Sequence, residues 1–429
     1  MTTEAASARL STHSIRSVAV LVGILGGIYS ISQFLRNSVG VIAPNLASEL
    51  DLTASQIGLL SSVFFFSFAA AQIPLGIALD RYGPRRCMLF CAVVAVTGGL
   101  IFAAAPSPGW LITARILMGL GSSCYLMAPL ALYARQFPPD RFATFVGYQI
   151  GLGTLGTLLA TAPFAFAVAT LGWRASFVVV AAVMVIAATA IAFIVPADDQ
   201  AGKSRPTETL RESFAGTLEA MRTPSFWPVF ALQFTCYSTF VLVIGLWGGP
   251  YLTHVYGYSL TERGNMLLVA VISQTIGSLL WGPSDRVFNS YKIPILIGSS
   301  LTTGLMALAA WVGVFSTAGL LFFFAALGCL TAYLTVLIAH GKSLFPPKLV
   351  GRGLTLFNMA TMGGVFVTQA VSGVIIDLFP QVNGGYSVDA YRTVFAIQAV
   401  CILLGSLAYL RSRDPRREPQ NVSSARLGQ

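Results

Sequence analysis

The chain has 429 residues, of which 55% are hydrophobic and only 10% are charged. Soluble domains carry about 25% charged residues, so this composition excludes an ordinary soluble protein and indicates one that crosses a membrane several times. The net charge of +10 is typical of nucleic-acid binding as well, but its distribution along the chain points to membrane topology instead.

A helix needs about 20 apolar residues to cross the hydrocarbon core of a bilayer. Stretches of this kind, separated by turns rich in proline and polar residues, predict an all-α membrane protein with twelve transmembrane helices. The predicted spans, numbered 1 to 12, are residues 17–46, 55–79, 87–105, 110–135, 141–169, 174–196, 225–252, 263–283, 293–315, 317–341, 353–377 and 392–411.

A long polar segment in the middle of the chain separates six spans from six others. This arrangement predicts two six-helix bundles joined by a linker. The predicted parts are a cytoplasmic N-terminal tail at 1–16, a first bundle at 17–196, a cytoplasmic linker at 197–224, a second bundle at 225–411 and a cytoplasmic C-terminal tail at 412–429.

The positive charges are distributed unevenly between the two sides of this twelve-span arrangement. Of the 26 lysines and arginines, 21 lie on the side that holds both termini, whereas Arg174, Arg263 and Arg392 lie on the other. Because cytoplasmic loops are enriched in Lys and Arg, both termini are predicted in the cytoplasm, in a bacterial inner membrane. The basic excess is assigned to topology and to contact with the lipid bilayer, and no nucleic-acid partner is expected.

Two arginines, Arg36 in span 1 and Arg115 in span 4, fall inside the predicted membrane region. Intramembrane charge is costly and usually functional, and no acidic residue lies deep in a span. Tyr29, Gln33 and Arg36 share one helix face because of their spacing. Since a guanidinium keeps its proton, this stripe is a candidate site for an anion held by a bidentate pair. The alternative is a structural Arg36 that pairs with helix carbonyls.

The loop after span 2 reads GIALDRYGPRR at residues 76–86, and span 4 carries Arg115, Gly119 and Gly121. These segments resemble the cytoplasmic loop signature and the fourth-helix motif of the major facilitator superfamily, with Pro84 where a basic residue is commoner. The resemblance covers the whole chain. It implies that family's fold, in which two six-helix bundles are related by pseudo-two-fold symmetry and work by alternating access.

The resemblance also implies roles for single residues. Asp80 is expected to meet span 11 and to latch the outward-open state, while neighbouring arginines bridge adjacent loops. Arg115 is expected to serve coupling and packing against span 1, with substrate contact as the alternative. The predicted gating residues are Gly76, Asp80, Arg81, Gly83, Arg85, Arg86, Asp285 and Arg286.

The second half of the chain repeats landmarks of the first half in the same order. The paired landmarks are Asp80-Arg81 with Asp285-Arg286, Phe137-Pro138-Pro139 with Phe345-Pro346-Pro347, and Trp173-Arg174 with Tyr391-Arg392. The second loop copy has one residue fewer between its glycine, Gly282, and its aspartate, so the two halves are not expected to gate identically.

Span 1 carries a further resemblance. The run Leu35-Arg36-Asn37-Ser38-Val39 is similar to the first helix of glycerol phosphate/phosphate antiporters and related organic-anion permeases, in which an arginine contacts the substrate anion. Those antiporters have a second arginine in span 7, where this chain has Gln233 and Tyr237, and this difference favours a carboxylate over a doubly charged phosphate.

The remaining site candidates are lone polar residues in spans that line the cavity by family analogy. Each has an alternative role in an interhelical hydrogen bond. The full set of predicted substrate-binding residues is Tyr29, Gln33, Arg36, Arg115, Tyr125, Gln149, Gln233, Tyr237, Gln274, Tyr333 and Asn358.

These patterns predict a secondary active or facilitative transporter for a small organic anion, acting as a monomer without a cofactor or metal. The lack of acidic residues in the spans disfavours proton coupling through a protein carboxylate. One alternative is an exporter of amphipathic compounds, favoured by the run Phe64-Phe65-Phe66. The absence of a glycine–proline signature from span 5 disfavours it. The other is a transport-dead metabolite sensor. No motif for nucleotide binding or covalent catalysis is present, so an enzyme is not expected.

Overall fold

The computed structural model describes residues 15–137, 139–196, 210–346, 349–382 and 385–415. Within these ranges, only the backbone is described for residues 15–17, 80, 139–140, 143, 210–215 and 382. Most of the predicted tails, part of the linker and the side chain of Asp80 therefore lie outside the described residues.

The described chain is built almost entirely of helices. In chain order the elements are α1 (Ile15–Leu50), α2 (Ala54–Tyr82), α3 (Pro84–Ala104), α4 (Pro108–Ser122), α5 (Cys124–Gln136), α6 (Pro139–Leu159), α7 (Ala162–Ile194), α8 (Leu210–Met221), α9 (Phe226–Leu242), a π-helical turn (Val243–Trp247), α10 (Gly248–Tyr256), α11 (Leu260–Trp281), α12 (Ser284–Val287), α13 (Lys292–Val312), α14 (Thr317–Thr331), α15 (Leu334–Ser343), α16 (Val350–Asp377), β1 (Gln381–Val382), β2 (Gly385–Tyr386) and α17 (Val388–Tyr409).

The helices confirm the predicted all-α membrane architecture. Within the described chain, 11 helical stretches are long and apolar enough to cross a membrane. One of them, α7, is interrupted at Gly172, whose backbone angles of φ 79° and ψ 161° suit a residue without Cβ. The interruption lies at the predicted boundary between spans 5 and 6, so α6 and the first part of α7 together form span 5. The second part of α7 forms span 6, and each of the other predicted spans corresponds to one helix or to consecutive helical segments.

A β-hairpin and a helix outside the twelve spans were not predicted from the sequence. Strands β1 and β2 form an antiparallel hairpin that pairs Gln381 with Tyr386 and Val382 with Gly385. Helix α8 lies inside the segment predicted as a polar linker.

The chain divides into two compact units. Unit 1 comprises residues 1–207, 241–268 and 366–390, and unit 2 comprises 208–240, 269–365 and 391–429. A buried apolar cluster in unit 1 includes Leu25, Met88 and Cys124, and a second cluster in unit 2 includes Phe226 and Leu337. Unit 1 thus contains segments from both halves of the sequence.

Close helix contacts in unit 1 depend on small residues. A Cβ at Gly156 of α6 would lie 1.8 Å from the carbonyl oxygen of Ser30 in α1. A Cβ at Gly249 of α10 would lie 1.9 Å from the carbonyl oxygen of Gly40, and one at Gly373 of α16 would lie 2.6 Å from that of Ala54. Glycine therefore permits α1 to contact α10, and α2 to contact α16, at backbone distance.

The π-helical turn lies directly before α10. The backbone N–H of Gly248 donates to the carbonyl oxygen of Val243, five residues earlier, and Pro250 has no N–H to offer to the carbonyl of Leu246. All five residues of the turn are buried. Its last residue, Trp247, donates from Nε1 to Oγ of Ser372 in α16 at 2.7 Å, so the turn is attached to a second helix of unit 1.

Two of the repeated landmarks have the same structural role, each within its own unit. Arg174 in unit 1 donates to the carbonyl oxygens of Ala103 and Ala105 at the C-terminal end of α3. In unit 2, Arg392 donates to the carbonyl oxygens of Ala310 and Trp311 at the C-terminal end of α13. Each arginine satisfies helix carbonyls that lack an intrahelical donor.

Candidate substrate site

Arg36 lies on α1 with 5% of its surface exposed. Its guanidinium carbon is 4.3 Å from the ring centroid of Phe68 in α2, a cation–π contact. Its Nε is buried and has no hydrogen-bond partner among the described residues, and no carboxylate there forms an ion pair with it. A guanidinium stays protonated in a protein, so the charge of Arg36 has no counterion among the described residues.

Further polar atoms on α1 and α2 are also buried without a hydrogen-bond partner in the described ranges. These atoms are Gln33 Oε1 and Asn37 Oδ1 on α1 and Gln72 Nε2 on α2. Gln72 follows Phe68 by one helical turn. Buried polar groups are nearly always hydrogen-bonded in folded proteins. These atoms on α1 and α2 are therefore candidates to hydrogen-bond a polar ligand.

Arg115 on α4 has different surroundings. Its side chain has no exposed surface, and its Nη1 donates to the carbonyl oxygen of Leu35 at 2.6 Å. Its Nε donates to the carbonyl oxygen of Leu60 at 3.3 Å, and its guanidinium carbon lies 4.6 Å from the ring centroid of Phe64. Arg115 therefore connects α4 to α1 and α2, and its contact on α1 is the residue that precedes Arg36.

The other predicted residues of unit 1 make packing contacts. The amide of Gln149 on α6 accepts from the hydroxyl of Tyr133 at 3.0 Å and donates to the carbonyl oxygen of Leu25 at 2.9 Å. Tyr125 is buried in the apolar cluster of this unit. The ring of Tyr29 fills the space beside Gly153, where a Cβ would lie 2.2 Å from it.

The predicted residues of the second half all lie in unit 2. Gln233 and Tyr237 are one turn apart on α9, and Gln233 Oε1 is buried without a hydrogen-bond partner in the described chain. Tyr333, just before α15, is fully buried, whereas Gln274 on α11 and Asn358 on α16 are half-buried. The structure thus divides the predicted site residues into two sets, one in each unit.

The loop signature after span 2 forms the junction of α2 and α3. Gly83 has φ 84° and donates its N–H to the carbonyl oxygen of Leu79 at 3.1 Å. Pro84 is the first residue of α3, a position that suits proline, which accounts for the departure from the commoner basic residue. Arg85 donates to the carbonyl oxygen of Ala192 near the end of α7, and Arg81 is exposed and lies over the ring of Tyr82.

Three further gating candidates lie in α2 and α12. Gly76 has open space beside its Cα. Asp285 lies in the short helix α12 and is buried, whereas Arg286 is exposed. The predicted contact of Asp80 with span 11 cannot be compared with the structure because the Asp80 side chain lies outside the described residues.

Asp377, at the end of span 11, makes a contact between the two halves of the sequence. The carboxylate of Asp377, the last residue of α16, accepts from the backbone N–H groups of Ala54 and Ser55 at 2.8 Å each. It also accepts from the hydroxyl of Ser55. An anion at a helix N-terminus is stabilised by the unpaired N–H groups and the helix dipole, so Asp377 caps α2.

Comparison with known proteins places these features in a family. Residues 25–261 and 243–428 match the family model of the Major Facilitator Superfamily. The probable sulfoacetate transporter of Cupriavidus necator is 24% identical over 308 residues, covering 68% of this chain and 70% of that protein. The hexuronate transporter of Bacillus subtilis is 25% identical over 410 residues, covering 89% of this chain and 93% of that protein.

The fold also matches a solved structure of a transporter. A bacterial homologue of the human lysosomal transporter Spinster, in an inward-facing and occupied conformation, superposes with a TM-score of 0.73 at 17% identity. The match covers 93% of this chain and 97% of the other chain.

Proposed function

Since the chain belongs to the Major Facilitator Superfamily, we propose that it transports a small organic anion and binds it through a carboxylate group. Alternating access of two six-helix bundles is the proposed mechanism. The names of its relatives support this substrate class, because sulfoacetate and hexuronate are both small organic anions.

The observation that supports the proposal is the buried charge of Arg36, which has no counterion in the part of the chain that the structure describes. A buried guanidinium without a counterion is unfavourable unless an anion or several acceptors approach it. The planar fork of arginine matches a carboxylate in a bidentate pair. We assign Arg36 as the residue that binds the substrate carboxylate, with Gln33, Asn37 and Gln72 as candidates for its other polar groups.

Arg115 receives a different assignment in this proposal. Its guanidinium already donates to two carbonyl oxygens, which supports packing and coupling rather than substrate contact. Because one of these bonds goes to Leu35, Arg115 holds α1 at the residue next to Arg36. Gln149 and Tyr125 are likewise assigned to packing.

The proposal includes an inner-membrane location with both termini in the cytoplasm, as the positive charges indicate. The protein is proposed to act as a monomer. For the alternative exporter of amphipathic compounds, Phe64 and Phe65 are fully buried and pack against each other, whereas Phe66 is exposed and contacts the ring of Phe366.

The test is uptake of a labelled anion by purified protein in proteoliposomes. We expect uptake of D-galacturonate or sulfoacetate to fall strongly in Arg36→Gln, since charge-assisted hydrogen bonds contribute about 1.5–3 kcal/mol, or roughly a 10- to 150-fold loss of affinity. Arg36→Lys keeps the charge but loses the fork, so it should bind more weakly than wild type and more tightly than Arg36→Gln.

Arg411→Gln is the matched control, since it removes one positive charge from an exposed side chain after α17. It should leave uptake unchanged. A folded Arg36→Gln protein that transports either anion with wild-type affinity would contradict the assignment of Arg36, and transport of a cation would contradict the substrate class.

A further inference from the structure

A cavity of about 590 Å³ lies in unit 1, away from Arg36. Its walls include Asn45 and Ser48 of α1, Thr253 and His254 of α10, Arg263 of α11 and Tyr386 of β2. Asn45 follows Arg36 by nine residues on the same helix, which is about 13 Å along its axis. The cavity is therefore distinct from the surroundings of Arg36, and its volume is typical of a site for a small molecule.

Arg263 is the charged residue of this cavity, with 4% of its surface exposed. Its Nη1 donates to Oγ1 of Thr253 at 2.8 Å and its Nη2 donates to Oδ1 of Asn45 at 3.0 Å. Both acceptors are neutral. The Nε–H is buried and has no partner in the part of the chain that the structure describes, and no carboxylate from that part lines the cavity.

The other walls supply neutral donors. The hydroxyl of Tyr386 stays protonated at physiological pH, because burial raises the pKa of Tyr386 to about 12. The backbone N–H of Tyr386 donates to Nδ1 of His254 at 3.3 Å, so a neutral ring carries its proton on Nε2. A Cβ at Gly385 would lie 2.8 Å from this ring, which shows how closely the hairpin approaches α10.

A buried cation that is balanced only by neutral dipoles, in a cavity with hydroxyl and imidazole donors, has the chemistry of an anion site. We propose that this cavity binds a small organic carboxylate as a second anion site, separate from Arg36. It lies at the end of α1 that the positive charges assign to the outside of the cell. The bound carboxylate accepts from Nε–H and a neighbouring N–H of Arg263, while a hydroxyl of the wall donates to its second oxygen.

Occupation of the site has a consequence for the contact between the halves of the sequence. Arg263 already connects Asn45 of α1 to Thr253 of α10, and a ligand that binds this arrangement stabilises it by mass action. The outer site is therefore expected to favour the arrangement in which α1 and α10 are in contact.

The test uses purified full-length protein in neutral detergent, with the Arg36→Gln substitution to remove the first proposed site. Binding of D-galacturonate and of sulfoacetate is measured by calorimetry, with neutral D-galactose as the matched control ligand. We expect one carboxylate per chain to bind in Arg36→Gln, and Arg263→Gln added to it to weaken binding roughly 10- to 150-fold. Because Arg36 is absent throughout, this result does not depend on the proposed transport function.

Tyr386→Phe and Arg263→Lys provide milder variants if Arg263→Gln does not fold. Each should weaken binding of the carboxylates, and Tyr386→Phe should leave the melting temperature without ligand close to that of Arg36→Gln. Binding of neither anion to Arg36→Gln, or equal binding after the Arg263 and Tyr386 changes, overturns the proposal. Phosphatidylglycerol added to the detergent is a further arm. If it stabilises the protein through Arg263 and displaces the carboxylates, the site belongs to a lipid phosphate and the carboxylate assignment is wrong.

Discussion

Arg36 and Arg115 are both buried, on neighbouring helices, but their guanidinium groups make different contacts. Within the described residues, Arg115 has two carbonyl acceptors and an aromatic ring, although its Nη2 is buried without a partner, whereas the contact of the Arg36 guanidinium is the ring of Phe68. The sequence indicates that both are buried in the membrane region. It cannot indicate which one donates to helix carbonyls, because such a bond depends on how closely another helix approaches.

This contrast predicts opposite effects on stability. Arg115→Gln should lower the free energy of unfolding by about 1.5–3 kcal/mol, because charged hydrogen bonds to the Leu35 and Leu60 carbonyls are lost. Arg36→Gln should leave stability unchanged or raise it, because it removes a buried charge that has neither a counterion nor a carbonyl acceptor among the described residues. Thermal unfolding in detergent measures both effects. An equal loss of stability in Arg36→Gln would favour the alternative structural role of Arg36.

Residue-level prediction was also incomplete for uncharged side chains. Gln72 and Asn37 were not singled out, although each is an amide in an apolar span, the same signal that singled out Gln149. The structure distinguishes them because the amide of Gln149 has partners on two other helices, while Gln72 Nε2 has none among the described residues. Such a difference depends on neighbours that are distant in sequence.

At the scale of elements, the contact between α16 and α2 joins residues that are 322 or 323 positions apart in the chain. The loop signature implied an analogous latch at the opposite end of α2, through Asp80 and span 11. The sequence provides a family precedent for Asp80, but no local pattern marks Asp377 as a helix cap, because the N–H groups that it accepts from belong to another helix.

The two aspartates are predicted to act in opposite directions on the conformational equilibrium. Asp377→Asn replaces a charged acceptor at the α2 N-terminus with a neutral one, which should weaken the outer contact and favour the outward-open state. Asp80→Asn should weaken the cytoplasmic latch and favour the inward-open state. The measurement is the labelling rate of Ser61→Cys, in a background without native cysteines, by an impermeant thiol reagent added outside.

Labelling is expected to become several-fold faster in Asp377→Asn and slower in Asp80→Asn. Asp51→Asn is the matched control, because Asp51 is exposed in the turn between α1 and α2 and has φ 50°, a conformation that asparagine also adopts. A change in the same direction in both test variants would show that the two aspartates do not form opposing latches.

For the whole molecule, the twelve-span pattern and the sequence repeat were the most predictable features. The thickness of the bilayer sets the length of each apolar stretch, and the repeat is visible as matching residues in the two halves. The three arginines that oppose the charge distribution are each fixed by neighbours. Arg174 pairs with Glu49 at 2.8 Å, Arg263 binds Asn45 and Thr253, and Arg392 binds helix carbonyls. By contrast, the hairpin of β1 and β2 is too short for its residue pattern to predict it.

Membrane topology follows from the same charges and is directly testable. Reporter fusions after Leu210 and at the C-terminus should both give a cytoplasmic signal, and a fusion at Ser387 should give an external signal. A fusion that reports the outside at Leu210 would contradict the twelve-span arrangement, because an odd number of spans would then precede it.

The intrinsic fluorescence of Trp247 can report on conformational change without an added label. Among the six tryptophans of the protein, this one is fully buried in the π-helical turn and donates to Ser372. An indole in such surroundings emits at shorter wavelength than one in water. Separation of the turn from α16 would expose it, so the emission of a variant that keeps only Trp247 should shift to longer wavelength as the outer end opens. Stopped-flow fluorescence of unlabelled protein could therefore time individual steps of the transport cycle.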